Sequence, residues 1–289
     1  MKSATLSQEF QAAFRSLMDD RSPVVRDSLI RKLEEAGEDA VFFLREIMRG
    51  ENRMEAILAQ GFLESLQHYN PLQEALAFIR SLHYELETGI LLLTRPVSKG
   101  LNAPEFCFKL NQMSSRVREL FMAPMKTRKK CTILNRVFFH EYGFRTLPDE
   151  SEDSSLMLPH EVLQSKRGGG MMLGFLYTLL AQRCQLPVEV ISVPGCSLLG
   201  CYDHEHPFYI DMYAGGSFRE GNDILEALEE SHLEPDFSHL TPTPVREVLE
   251  RFCQRTAQAF SFEGQQEAAL MFERFGREFQ ATHRRHANP

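Results

Sequence analysis

The sequence lacks most of the features that identify a function at sight. Its six cysteines, Cys107, Cys131, Cys184, Cys196, Cys201 and Cys253, include no CxxC pair. Neither a zinc ribbon nor a thioredoxin-like redox motif is therefore written into the chain. No segment reaches the eighteen or so uninterrupted apolar residues of a membrane span, and the first twenty positions hold no apolar run of signal-peptide length. The expectation is a soluble, cytoplasmic protein with free thiols and no membrane partner. Positive charge is scarce as well, with 32 Lys and Arg against 40 Asp and Glu and a formal net charge of −8. A nucleic-acid surface needs a basic stripe that releases counterions. The single basic cluster, Lys126, Arg128, Lys129 and Lys130, is too short to supply one, so no nucleic-acid partner is expected.

What is present is a chain of 289 residues, enough for about two domains, or one with a sizeable appendage, and for a core that needs no staples. Helical patterns dominate the first half. Leu6, Phe10, Phe14 and Leu17 share one face. Ser22 supplies an N-cap oxygen ahead of Pro23, and Leu29, Ile30 and Leu33 form a stripe ending at Gly37. Two further helices span 39–48 and 53–66, and the set resembles stacked HEAT-type hairpins. Apolar stripes continue through Leu82, Leu86, Ile90 and Leu93, then Phe106 to Leu120, then Ile133 to Phe138.

An acidic, Ser-rich segment at 146–155 reads as a mobile surface loop. It is followed by a helix, a tight Gly turn, an apolar helix over 172–185, a β-branched run at 188–193, and two further strands at 197–202 and 208–212. The segment 203–207 turns the last two into a hairpin. Helices return at 223–230, 243–260 and 263–282, and the last pair matches a tetratricopeptide unit in length.

The segments LHYELETGILLL (82–93), LNRVFFHEYGFR (134–145), HEVLQSKRGGGMMLGFLYTLLAQRCQLPVEVISVPG (160–195) and IDMYAGGSF (210–218), in this order and spacing, resemble the bacterial SirB-type proteins, whose core belongs to the transglutaminase-like superfamily. The resemblance implies an α+β fold. A helical N-terminal region (1–125, HEAT-like) would pack on a small antiparallel transglutaminase-like, cysteine-protease-like sheet with a central helix (126–235). A tetratricopeptide-like helical hairpin (236–289) would close it.

Active members of the superfamily use a Cys at the N-terminus of the central helix, a His on the next strand and an Asp on the strand after. The helix end lowers the thiol's pKa, the imidazole takes its proton, and the carboxylate orients the imidazole. Matched by motif, these positions fall at or beside Gly170, at Cys196 and at Asp211, so only the carboxylate is kept. The implied function is a catalytically inactive transglutaminase-like protein that binds a protein or peptide as a regulatory or scaffold module, with the helical ends as its partner surface. No cofactor or metal is implied, and neither partner identity nor oligomeric state is set.

Alternatives stand beside this. Cys196 could act as a relocated nucleophile in a thiol hydrolase or acyltransferase, with His204 or His206 as base. Cys196, Cys201, His204 and His206 could bind metal, although the odd offset between 196 and 201 sends the two thiols to opposite faces of a strand. The stretch 166–170 could bind an anion or small ligand through Arg167, Gly168 and Gly169, although no strand is expected before it and GxxxxGK[ST] is absent. Glu85 and Glu87 diverge on a helix, and one of them is expected to cap a helix or pair with Arg167. Met171, Met172, Phe138, Phe139 and Phe175 read as core.

Overall fold

In a computed structural model the described residues are 6–20, 22–66, 70–98, 100–147, 153–203 and 206–287. They divide into two compact units, Met1–Gln73 and Glu74–Pro289, and the fold as a whole is α+β, mostly helical with one small antiparallel sheet.

The first unit holds α1 (Gln8–Leu17), α2 (Pro23–Ala36), α3 (Glu38–Arg49) and α4 (Arg53–Ser65). Ser7 caps α1 by accepting the Phe10 N–H, and Asn52 caps α4 in the same way. Ser22 stands at the N-cap of α2 but makes no capping bond there; its own N–H donates to Asp20 Oδ1 at 2.8 Å. Gly37, at φ 58°, ends α2 and opens α3, a left-handed conformation that favours glycine. The core forms around Phe14, whose ring meets Phe43 and Phe62 edge-on at 5.6 and 5.0 Å.

The unit boundary falls within α5 (Pro71–Arg80); in the second unit α6 (Leu86–Thr94), α7 (Ala103–Glu119) and α8 (Thr127–Asn135) precede a π-helical turn at Arg136–Glu141. Leu82 is not part of the α6 stripe, because it sits at φ 61° and Glu85 caps the helix after it. Then come β1 (Arg145–Leu147), a 3-10 turn (Ser154–Met157), α9 (Pro159–Ser165), β2 (Arg167–Gly169) and α10 (Gly170–Arg183). The expected loop at 146–155 is thus partly ordered structure. Thr146 and Leu147 lie in β1, and buried Ser154 gives its N–H and hydroxyl to the Glu263 carboxylate at 2.7 and 2.5 Å.

The central helix α10 is buried on every side from Met172 to Ala181, the mark of a core helix rather than an amphipathic one. Against it lies a sheet in the order β3 (Val188–Val190), β4 (Leu198–Cys201), β5 (Phe208–Asp211) and β6 (Ser217–Arg219), antiparallel throughout. Leu199 and Met212 face α10, since a Cβ on Gly174 would touch both. The alternate residues Leu198 and Tyr209 face the other way, into a cluster with Ile224 and Leu228 of α11 (Gly221–Glu230).

Two long helices, α12 (Val245–Phe262) and α13 (Gln266–Ala287), complete the unit. Phe252 of α12 meets Phe175 of α10 at 6.1 Å on one side and Phe272 of α13 at 5.7 Å on the other. A Cβ on Gly89 of α6 would lie 2.5 Å from Leu249 Cδ1, so α6 and α12 touch backbone to side chain. The terminal hairpin is therefore part of the core, and removing it would expose Leu249, Phe252 and Phe175.

Candidate functional site

The glycine stretch does not form the expected tight turn. Arg167–Gly169 is a short strand, β2, paired parallel with β1 through Arg145↔Arg167 and Leu147↔Gly169. It leads straight into α10, so a strand does precede the helix. The turn belongs to Lys166, at φ 62°, whose amine bonds the Leu163 carbonyl and lies 4.6 Å from the Phe144 ring centre. Glycine is needed at 168 and 170 for approach rather than for conformation. A Cβ on Gly168 would come within 2.7 Å of Val162 Cγ1, and one on Gly170 would overlap the Ser197 hydroxyl and lie 3.0 Å from Tyr213 Cε2. Arg167 is exposed, and Gly168 and Gly169 are buried in the strand pairing.

Across from Gly170 the chain turns at Val193–Cys196, where the Cys196 N–H bonds the Val193 carbonyl at 3.2 Å and Gly195 sits at φ 70°. Ser197, rather than Cys196, fills the space in front of Gly170. Cys196 lies beside it at the exposed turn. Partial burial and the Asp211 charge push its thiol up, with Arg219 acting in the opposite sense, the reverse of what an activated nucleophile needs. Among the described residues no imidazole hydrogen-bonds to Cys196 or Ser197.

Asp211 is buried, and its carboxylate is fully engaged. Oδ1 accepts the N–H groups of Tyr213 and Ala214 at 2.9 and 3.1 Å, and Oδ2 accepts Arg219 Nε and Nη2, each at 2.7 Å. By strand alternation Asp211 points with Tyr209 and its cross-strand partner Leu198, away from α10. It caps a turn and holds β6.

The proposed bases and metal ligands do not gather around Cys196. Cys201 sits at the opposite end of β4, fully buried, and pairs across the sheet with Phe208. His206 lies two residues before Phe208, beyond the Cys201 end of β4 and so at the far end of the hairpin from Cys196. His204 lies outside the described residues. Of the other thiols, Cys184 at the far end of α10 is pushed up to about 11 by burial, against Arg118 and Arg183. Cys131 is pushed up by its hydrogen bond with Cys201 and by burial.

The acids also part company. Glu85 caps α6, accepting the Thr88 N–H at 3.1 Å. Glu87, with no exposed surface, pairs with Arg183 rather than Arg167, at 2.8 Å, and accepts the Cys107 thiol at 2.9 Å. Within the basic cluster, Arg128 pairs with Glu220 at 2.9 Å and lies over the rings of Phe208 and Phe218, and Lys130 lies over the ring of Phe121.

A cavity of about 310 Å³ opens between the start of α10, the 190–199 segment and α12. Its floor is apolar, with Phe175, Leu199, Met212 and Val248, and Arg251 and Arg255 stand at its α12 wall. The Arg251 guanidinium donates to Ser192 Oγ, which also accepts Thr243 Oγ1 at 2.8 Å. A second cavity of about 460 Å³ shares Ser192, Val193, Pro194 and Arg251 with the first and continues along 238–244. Ser197 and the two arginines were missed in the sequence because α12 reads there as a separate hairpin. The available signal was the spacing of Val248, Arg251 and Arg255, which places two cations on the apolar face of that helix.

The description of the transglutaminase-like superfamily matches residues 105–254, just over half of the chain. Comparison with curated proteins finds no match, and comparison with solved structures finds none either. The matched span begins in α7, contains α10 and all four strands of the antiparallel sheet, and ends within α12, so it takes in every residue that lines the cavity of about 310 Å³ except Arg255. The chain belongs to the transglutaminase-like superfamily.

Proposed function

We propose that this is a transglutaminase-like protein without catalytic activity, which keeps the cleft of its superfamily to hold a protein or peptide in a regulatory or scaffolding role, as the resemblance to the SirB-type proteins implies. The observation that carries this reading is the Gly170–Ser197 contact. Where an active member would place a thiol, the helix begins with a residue that has no side chain, and the space is filled by a hydroxyl to which no imidazole of the described residues is bonded. The cleft itself is open and ligand-sized.

Because α12 forms one wall of the cleft, the helical end and the old substrate site act as one surface. Deleting 243–289 would unfold that surface instead of separating the two. The test is alkylation of the native protein with iodoacetamide across pH. Cys196 should label slowly, with a midpoint above the free-thiol value of about 8.5, and no acyl-enzyme should form with an acyl-transfer probe. Rapid labelling with a midpoint below 7 would make the protein a thiol enzyme.

A further inference from the structure

Arg251 is placed differently from its neighbours on α12. Arg246 on the same helix holds Glu247 and Glu250 at 3.1 and 2.9 Å. Arg251 makes a bond to the Ser192 hydroxyl, and no carboxylate of the described residues lies within ion-pair distance of it. In a chain with a net charge of −8, a guanidinium at a cavity wall that is bonded to a hydroxyl rather than to a carboxylate is a group suited to receive an anion. Its planar fork matches a carboxylate bidentately.

The rest of the cavity defines what carries that anion. The floor of Phe175, Leu199, Met212 and Val248 is apolar, so it suits a hydrocarbon group, and a volume of about 310 Å³ lies at the small end of ligand sites. The adjoining cavity meets the first at Arg251 and runs on past Ser192 to 238–244, which leaves a path for chain attached to the bound group. The start of α10 adds a dipole of the right sign, as a supplement to the arginine.

We propose that the cleft binds a carboxylate carried on a small apolar group, namely the C-terminal residue of a peptide, with the carboxylate on Arg251, the side chain on the Phe175–Met212 floor and the preceding residues along the second cavity. The inference rests on the binding reading above and gives it a ligand class.

Met171 and Met212 both line the cavity, so their methyl groups report occupancy. Protein labelled with ¹³C-methyl methionine would be titrated with N-acetylated tetrapeptides ending in Val, Leu, Ile, Met or Phe. Each would be used as the free acid and as the C-terminal amide, and isovalerate would serve as a free small acid. The expected result is saturable shifts of the Met171 and Met212 resonances by at least one free-acid peptide, with its amide at least tenfold weaker. Arg251→Gln should bring the acid down to the affinity of the amide, and because the side chain is exposed the variant's thermal midpoint should not move. Isovalerate binding as tightly as the peptides supports the carboxylate site and removes the peptide from it. Equal affinity of acid and amide overturns the carboxylate while leaving peptide binding in place, and no shift with any ligand overturns both.

Discussion

The two ends of α10 make opposite use of polar chemistry. At its C-terminal end Arg183 completes an ion pair with Glu87, a carboxylate with no exposed surface that also takes the Cys107 thiol. At its N-terminal end there is a glycine against a serine and a cavity edged by arginine. The Glu87–Arg183 pair is thus structural, whereas Arg251 beside the cavity holds only a hydroxyl among the described residues. Burial explains the difference. A desolvated pair is costly to form and costly to break, so it locks helices together, whereas an exposed cation can wait for a ligand at little cost in stability.

The comparison breaks most visibly at the buried end. Arg183→Ala removes a charged partner from the fully buried Glu87 and should cost about 3–5 kcal/mol in denaturant unfolding. Arg251→Gln at the other end should stay within about 0.5 kcal/mol of the parent. Equal costs would mean that the cleft arginine is as structural as Arg183.

Restoring the missing thiol sharpens the same contrast. Gly170→Cys must displace Ser197 and should destabilise by about 1–3 kcal/mol through overpacking. Adding Ser197→Gly should recover most of that loss. In the double variant the new thiol, at a helix N-terminus, should alkylate with a midpoint below that of Cys196. If the single variant is as stable as the parent, the close contact at Gly170 is not what excludes a side chain there.

The smallest effect concerns the outer helices. Hydrogen bonding to Arg80, and then the Arg285 guanidinium, hold the Glu278 carboxyl below its usual range. The unfolded chain therefore takes up this proton first as pH falls. The stabilisation is complete above the ordinary Glu value of about 4.3 and is lost as pH drops through the lowered one. Because the pair is largely solvated, Glu278→Gln should lose only a few tenths of a kcal/mol at pH 7. Between pH 5 and 3 its stability should fall less steeply than the parent's, as read from urea midpoints.

Much of this was legible in the chain. The faces of α1 and α7, the continuous apolar run of α10, the Gly37 junction and the two long C-terminal helices follow from apolar spacing and from glycine's tolerance of positive φ. The four-stranded sheet was legible as three strands. β6, like β1 and β2, spans three residues, too few for alternation to register, and exists because a longer strand or a neighbour supplies its hydrogen bonds. The Glu87–Arg183 pair was hidden for another reason: its members lie 96 positions apart, and nothing local marks either as the other's partner.

The sequence by itself determined that the cleft carries neither a thiol at Gly170 nor an imidazole at position 196, because those are matters of covalent identity. The tertiary structure alone decided where the remaining groups point. One step along β5 separates Met212, which faces α10, from Asp211, which turns to Arg219 on the other side. The packing of α12 on α10 through Phe252 and on α6 through Leu249 is what brings Arg251 to the cavity. Register and helix packing are properties of contacts between distant segments, and the order of residues along one segment does not contain them.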